Sequence, residues 1–277
     1  MELMMPISDM QEPALYLECD LERGESHRIA DGLAVAYSAR APGKPSCNED
    51  SVALIPCGPG AGVLVVADGL GGMPAGEQAS ALAVQCLADA LHGIEPQATS
   101  LREAILDGME HANQAVSALG VGAATTLAVV EIQHRVIRPY HAGDSLILVT
   151  GQRGKIKLQA VPHSPIGYAV EAGFLNAEEA MHHEERHLIS NMIGTPDMRI
   201  EVGAPVLLSP RDTLVLASDG LSDNLHIDEI VAEARIGSLP NACKHLVESC
   251  QTRMMQPSES HPSKPDDLSL ILFRLLT

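Results

Sequence analysis

Tryptophan is absent from the sequence, and only two phenylalanines and four tyrosines are present. So few rings leave little on which single-stranded bases could stack. Cations are scarce as well: 18 Lys and Arg stand against 36 Asp and Glu, a formal net charge of −18. Nucleic-acid backbones are gripped by clustered Lys and Arg, so this balance excludes a nucleic-acid surface. It leaves room for a local phosphate pocket held by cations. Long apolar runs are also missing. The longest uncharged stretches, residues 51–67 and 112–130, are interrupted by Pro, Gly, Asn, Gln or Thr, so no membrane span is expected. Residues 1–13 carry Glu2, Asp9 and Glu12 and no basic stretch, unlike a signal peptide. The six cysteines form no C-x-x-C pair and read as scattered thiols of a reducing cytoplasm.

What is present is enough apolar material for a core. Hydrophobic residues make up 45% of the chain and charged residues 19%, which excludes a disordered tail and suits one domain. Apolar, β-branched runs bounded by Gly, Pro, Asp or Asn recur at 33–38, 51–55, 62–67, 125–132, 136–142, 145–150, 213–217 and 268–275, and read as strands. Two helices are expected together. Residues 76–92 place Ala79, Leu82, Ala83, Cys86, Leu87, Ala90 and Leu91 on one face. The second opens at Ser100-Leu101-Arg102-Glu103, the pattern of a capping box. Later helices are expected at 227–235 and 241–254. Helices in adjacent pairs, with strands in runs elsewhere, point to a layered α+β fold. Residues 1–28 read as a lead-in of uncertain structure and 29–277 as the domain. An acidic, His-rich stretch at about 153–198 reads as a flap-like insertion.

Two segments share one logic. Residues 62–69 and 213–220 are apolar strands ending in Asp68-Gly69 and Asp219-Gly220. A carboxylate at a strand end is held rigidly, and a following Gly lets the backbone turn so that its carbonyl also faces a ligand. Such oxygen donors suit hard cations like Mg²⁺ or Mn²⁺. The plain alternative for one Asp-Gly is a hairpin turn. More acids border strands: Glu49 and Asp50, Asp144, and Asp266 with Asp267. Gathered without cations, these would repel one another strongly.

The order of these segments resembles that of the protein phosphatase 2C family, the metal-dependent serine/threonine phosphatases, in its bacterial form. The matching pieces are Asn48-Glu-Asp-Ser51, Val66-Ala-Asp-Gly-Leu-Gly-Gly72, Ala75-Gly-Glu-Gln-Ala-Ser80, Ala124-Thr-Thr-Leu127, His141-Ala-Gly-Asp-Ser145, Ala217-Ser-Asp-Gly-Leu-Ser-Asp223 and Asp266-Asp-Leu-Ser269. The resemblance implies a four-layer α-β-β-α sandwich of two antiparallel sheets flanked by helix pairs. It implies hydrolysis of phosphoserine and phosphothreonine in proteins by a water activated between two Mn²⁺ or Mg²⁺ ions. By position, Asp68 bridges the ions, the Gly69 carbonyl joins one, and Asp219 and Asp266 hold the other. Asp144 matches the holder of a third, weaker ion. Glu49 and Asp50 orient water. Asp267 stands where the family usually has Asn. Three further places depart from the pattern. The usual phosphate-binding Arg is Pro45, leaving Arg40 or Lys44 for that role. Leu70 and Met73 stand where the family often has a His. The usual Arg after Gly-Asp-Ser is Leu146. The implied partner is a phosphorylated protein, with a serine/threonine kinase or its target in the same pathway, in the cytoplasm.

Two other functions compete at this level. The departures fit a weakened phosphatase fold that binds or senses a partner. His183-Glu184-Glu185-Arg186-His187 also matches H-E-x-x-H, a zinc-protease signature, if it lies on a helix. With Glu185 and Arg186 charged, a solvated helix is the plainer expectation.

Overall fold

The strands that build the core are apolar on both faces because both faces are covered. The computed structural model describes residues 9–70, 75–94, 98–258 and 260–276. In chain order the elements are β1 (Ala14–Leu17), β2 (Glu25–Ile29), β3 (Gly32–Ala39), β4 (Asp50–Pro56), β5 (Ala61–Asp68), α1 (Gly76–Leu91), α2 (Ala98–Ser117), β6 (Leu127–Gln133), β7 (Val136–Ala142), β8 (Leu146–Thr150) and β9 (Ile156–Gln159). There follow α3 (Pro165–Glu171), α4 (Ala177–Met181), β10 (Glu201–Val202), β11 (Val206–Leu207), β12 (Thr213–Ala217), α5 (Asp219–Ser222), α6 (Ile227–Ala234), α7 (Leu239–Met255) and β13 (Leu268–Leu275).

The strands form two antiparallel sheets. One runs β1-β4-β5-β6-β7-β10, with β11 also on β7; the other runs β2-β3-β13-β12-β8-β9. Period-two alternation sorts each strand between two cores. Val52, Leu54, Leu64 and Val66 meet Leu214, Leu216, Ile271 and Phe273 between the sheets. Their neighbours Ala53, Ile55, Val63 and Val65 face outward onto Leu87 of α1 and Ile105 and Met109 of α2. On the opposite side Val215, Leu270 and Leu272 pack against Ile230 of α6 and Leu246 and Cys250 of α7. Helix pair, sheet, sheet and helix pair make the four layers that the resemblance implied.

Two local expectations change. Helix α2 is already under way at Ala98, so Ser100 lies within it and is not its N-cap. The first 28 residues, read as a lead-in, supply an edge strand to each sheet: β1 pairs with β4, and β2 pairs with β3. The Tyr16 hydroxyl of β1 donates to Glu25 Oε2 of β2 at 2.8 Å and lies 2.6 Å from His27 Nε2, tying the two edges together. Polar residues hid β2 from periodicity, and β1 is only four residues long.

Deleting residues 1–30 should therefore damage stability. Tyr16 and Ile29 are both buried between the sheets. At about 1.5–3 kcal/mol for each side chain, their loss corresponds to a fall of roughly 10 °C in Tm for a chain of this size. Thermal melts by circular dichroism check this; an unchanged Tm in the truncated protein would contradict the edge-strand assignment.

Candidate metal centre

Carboxylates from both sheets meet at one end of the sandwich. Asp50 and Asp68 are direct partners across β4 and β5. Asp219 opens α5 immediately beyond β12, and its backbone N–H points at Asp68 Oδ2 from 3.4 Å. Asp223 lies one turn later, its N–H donating to the Asp219 carbonyl at 2.7 Å. Asp266 precedes β13, and Asp144 sits in the turn between β7 and β8. Carboxylate oxygens of Asp219, Asp223 and Asp266 lie within 4.8 Å of one another.

Backbone contacts hold these acids in place. Thr125 Oγ1 donates to the Asp68 carbonyl at 2.8 Å, and the Thr126 N–H donates to the same oxygen at 2.8 Å. Thr126 Oγ1 accepts from the Asp68 N–H at 3.1 Å, which explains the Thr-Thr pair. Neither Asp-Gly is a hairpin turn, and neither Gly has positive φ. Each is required by close approach. A Cβ on Gly69 would fall 2.3 Å from the Gly76 carbonyl oxygen, and one on Gly220 would fall 2.0 Å from that of Asp267. Asp50 accepts from Ser218 Oγ at 2.8 Å.

The electrostatics are those of crowded like charges. Burial pushes Asp68 well above the usual carboxylate range, and Asp50, Asp219, Asp266 and Asp144 push it further. Burial also raises Asp50, with Asp267 and Asp219 adding to it. Asp144 rises to about 7 through burial and then the charges of Asp219 and Asp223. At an effective dielectric of about 20, two such charges about 5 Å apart repel by roughly 3 kcal/mol. One ammonium, Lys264, touches this group among the described residues. Asp144 Oδ1 is buried with no hydrogen-bond partner. Excess negative charge, oxygen-only donors and an orphaned carboxylate oxygen together fit hard divalent cations.

The geometry separates the remaining candidates. Asp266 joins Asp219, whereas Asp267 faces another way. Asp267 Oδ1 accepts from the Ala41 N–H at 2.9 Å, and its Oδ2 accepts from the Glu49 N–H at 2.7 Å and Lys44 Nζ at 2.6 Å. Lys44 also donates to Glu49 Oε2 at 2.5 Å. Lys44 and Glu49 thus stand at the edge of the acidic group. Arg40 pairs instead with Asp20 at 3.0 Å, both half-exposed. Met73 lies outside the described residues.

Two groups of histidines lie close together. His141, His163 and Glu201 bring ligand atoms within 4.8 Å of one another. However, the His rings stack with centroids 4.3 Å apart and planes 15° apart. A metal must lie in the plane of each ring that binds it, and near-parallel stacked rings share no such point. His163 Nδ1 also accepts from the Gly143 N–H at 3.1 Å and from Asn191 Nδ2 at 2.8 Å, so its proton resides on Nε2, facing Glu201. This set braces the turn that carries Asp144. The other set lines a cavity of about 620 Å³, where His182, His183 and Arg186 face His261 and Ser263. Helix α4 ends at Met181, and residues 184–187 are turns. His183 and His187 therefore do not share a helical face, and the zinc-protease expectation falls.

Sequence reasoning gave no role to two members of the centre. Asp223 had a signal in its i,i+4 spacing from Asp219. Lys264 had only its position two residues before Asp266.

A family profile described as protein phosphatase 2C matches residues 37–257. The protein phosphatase PhpP of Streptococcus pneumoniae is 33% identical over 175 residues, which is 61% of this chain and 70% of that protein. The S. agalactiae serine/threonine phosphatase structure is 25% identical, with a TM-score of 0.76 over 88% of this chain and 99% of the other. The catalytic domain of the serine/threonine protein phosphatase PstP in complex with two manganese ions is also 25% identical, with a TM-score of 0.69 over 88% and 98% of the two chains.

A pH dependence follows from Asp144. Its carboxyl rises from an ordinary value near 4 to about 7 on folding. Below the ordinary value it is protonated in both states and costs nothing. Between about 4 and about 7 the unfolded chain gives up the proton while the metal-free fold keeps it, so stability falls across that window and the full cost is present above about 7. Asp144→Asn should therefore stabilise the metal-free protein at pH 8 and have little effect at pH 4. Denaturant unfolding in EDTA at both values measures it, and a pH-independent difference would contradict the assignment.

Proposed function

The chain belongs to the protein phosphatase 2C family, and from this we propose that it is a metal-dependent serine/threonine protein phosphatase, removing phosphate from phosphoserine and phosphothreonine in protein substrates. The observation that carries the reading is the gathering of Asp68, Asp219, Asp266 and Asp144 at the strand ends, with Asp144 Oδ1 buried and unpartnered. Asp68, the Gly69 carbonyl, Asp219 and Asp266 would hold two Mn²⁺ or Mg²⁺ ions, with Asp144 serving a third, weaker one. Such ions supply positive charge to phosphoryl oxygens and make water a nucleophile at neutral pH.

The chain's own residues set the rest. The Thr125 and Thr126 bonds to the Asp68 backbone fix its carboxylate before substrate arrives. That rigidity lowers the reorganisation needed during reaction. Asp50, held by Ser218, and Glu49, held by Lys44, flank the reaction space and orient water. Of the two cations expected at the substrate phosphate, Lys44 stands at this edge and Arg40 is engaged by Asp20. The substrate is the product of a protein serine/threonine kinase, and the cytoplasm is the compartment that six free thiols suit. Among the described residues no helix is long and apolar enough to cross a membrane.

The direct test is phosphopeptide hydrolysis with and without Mn²⁺. Asp68→Asn should remove nearly all turnover while retaining the wild-type circular dichroism spectrum, and Asp219→Asn should do likewise. Undiminished turnover in folded Asp68→Asn would exclude Asp68 from the centre.

A second outcome concerns the leaving group. Leu70 has no proton to give to a departing alkoxide, and His163 is committed to Gly143, Asn191 and Glu201. General-acid help typically contributes about 10²–10⁴-fold. Phosphoserine peptides should thus turn over disproportionately slowly relative to p-nitrophenyl phosphate at equal Mn²⁺. Rates across leaving groups of rising pKa should slope downward; a flat series would show that protonation is already efficient.

A further inference from the structure

Three carboxylates converge on one ammonium at the centre. Lys264 Nζ lies 2.8 Å from Asp219 Oδ2, 2.7 Å from Asp223 Oδ2 and 2.9 Å from Asp266 Oδ2. Those oxygens belong to the residues that come within 4.8 Å of one another, the spacing of donors around a single cation. The Lys264 side chain is 30% exposed, so its stem enters from the surface and its charge ends among the acids. The backbone at this point is well fixed. Asn224 Nδ2 donates to the Lys264 carbonyl at 2.8 Å, and the Lys264 N–H donates to Asn224 Oδ1 at 3.0 Å. Asn224 is itself fully buried and donates to the Gly220 carbonyl at 2.9 Å. The lysine is thereby locked in register with the Asp219-Gly220 turn.

An ammonium and a divalent ion cannot occupy the same group of oxygens. Each of the three nitrogen–oxygen distances is that of a charge-assisted hydrogen bond, whereas a hard divalent ion draws oxygens in to about 2.0–2.1 Å. We propose that Lys264 is a tethered counter-ion that holds the Asp219–Asp223–Asp266 position in the metal-free protein and must be displaced when a divalent ion enters it. The inference rests on the metal-dependent reading above. The lysine supplies positive charge that lets the acids fold together, and it sets an affinity threshold for metal at this position. Among the described residues no ammonium touches Asp68 or Asp144, although the charge of Lys264 is felt at Asp144 through space. The metal positions therefore differ in affinity, and part of that difference is written into one side chain.

Calorimetric titration of Mn²⁺ into metal-stripped protein tests the idea, comparing wild type with Lys264→Met and Lys264→Arg. Lys264→Met should bind one Mn²⁺ at least tenfold more tightly, with the other site little changed. Lys264→Arg should retain the wild-type isotherm. In EDTA, Lys264→Met should melt below wild type, and with saturating Mn²⁺ the gap should close. If the variant does not survive EDTA, it is purified with Mn²⁺ and its affinity is read by competition with a chelator. Superimposable isotherms for wild type and Lys264→Met overturn the counter-ion role and leave the phosphatase reading standing. Absence of Mn²⁺ binding in both proteins overturns the two together.

Discussion

Mutual repulsion among carboxylates gathered at one end of two sheets is the constraint to which the rest of the structure answers. Asp50, Asp144, Asp219, Asp223 and Asp266 each raise the pKa of at least one other member, and Asp68 is raised by four of them. Such a group persists only if its surroundings over-determine it. Here the over-determination is local and polar. Threonine hydroxyls grip the Asp68 backbone, Ser218 grips Asp50, and Asn224 locks Lys264 beside Asp219. Apolar cores on three levels supply the rigidity behind those contacts. The energy of packing thus sustains a site that is electrostatically unfavourable without cations.

Much of this was legible in the sequence because the strands are buried on both faces. Residues 136–142, 213–217 and 268–275 coincide with β7, β12 and β13. In 213–217 and 268–275 the apolar residues run almost unbroken, which leaves little room for another assignment. The acids at strand ends were legible only together: one Asp-Gly alone reads as a turn, whereas several acids bordering buried strands would repel one another without cations. The role of the glycines after them was not. Conformational freedom was the expected reason, whereas Gly69 and Gly220 are needed because another backbone passes within the volume of a methyl group. No single-segment pattern reports that the backbone of Gly76 or of Asp267 comes so near.

The other gaps have similar causes. β2 carries Glu25, His27 and Arg28, so its sequence looks like a loop, and only pairing with β3 makes it a strand. Ser100 looked like a helix start, yet α2 begins at Ala98. Lys264 was invisible because its partners Asp219 and Asp223 are more than forty positions away, except for Asp266. A cation in an otherwise acidic motif reads as solvent-facing until the fold closes around it. The His183–His187 spacing failed in the opposite direction: a local pattern was present, but the helix that would give it meaning stops at Met181.

The place of β13 in its sheet has a consequence for how the protein is made. This strand lies between β3 and β12, and Ser38 and Ser269, whose hydroxyls meet at 2.7 Å, are 231 positions apart. During synthesis β3 emerges well before its central neighbour, which is made more than two hundred residues later. The first sheet, by contrast, assembles largely from consecutive strands β4 to β7. Long-range pairing of this kind slows folding and leaves strand edges open meanwhile. Asp266 arrives only with that last strand, so the acids of the two sheets are not confronted with one another until the cores that restrain them are about to close.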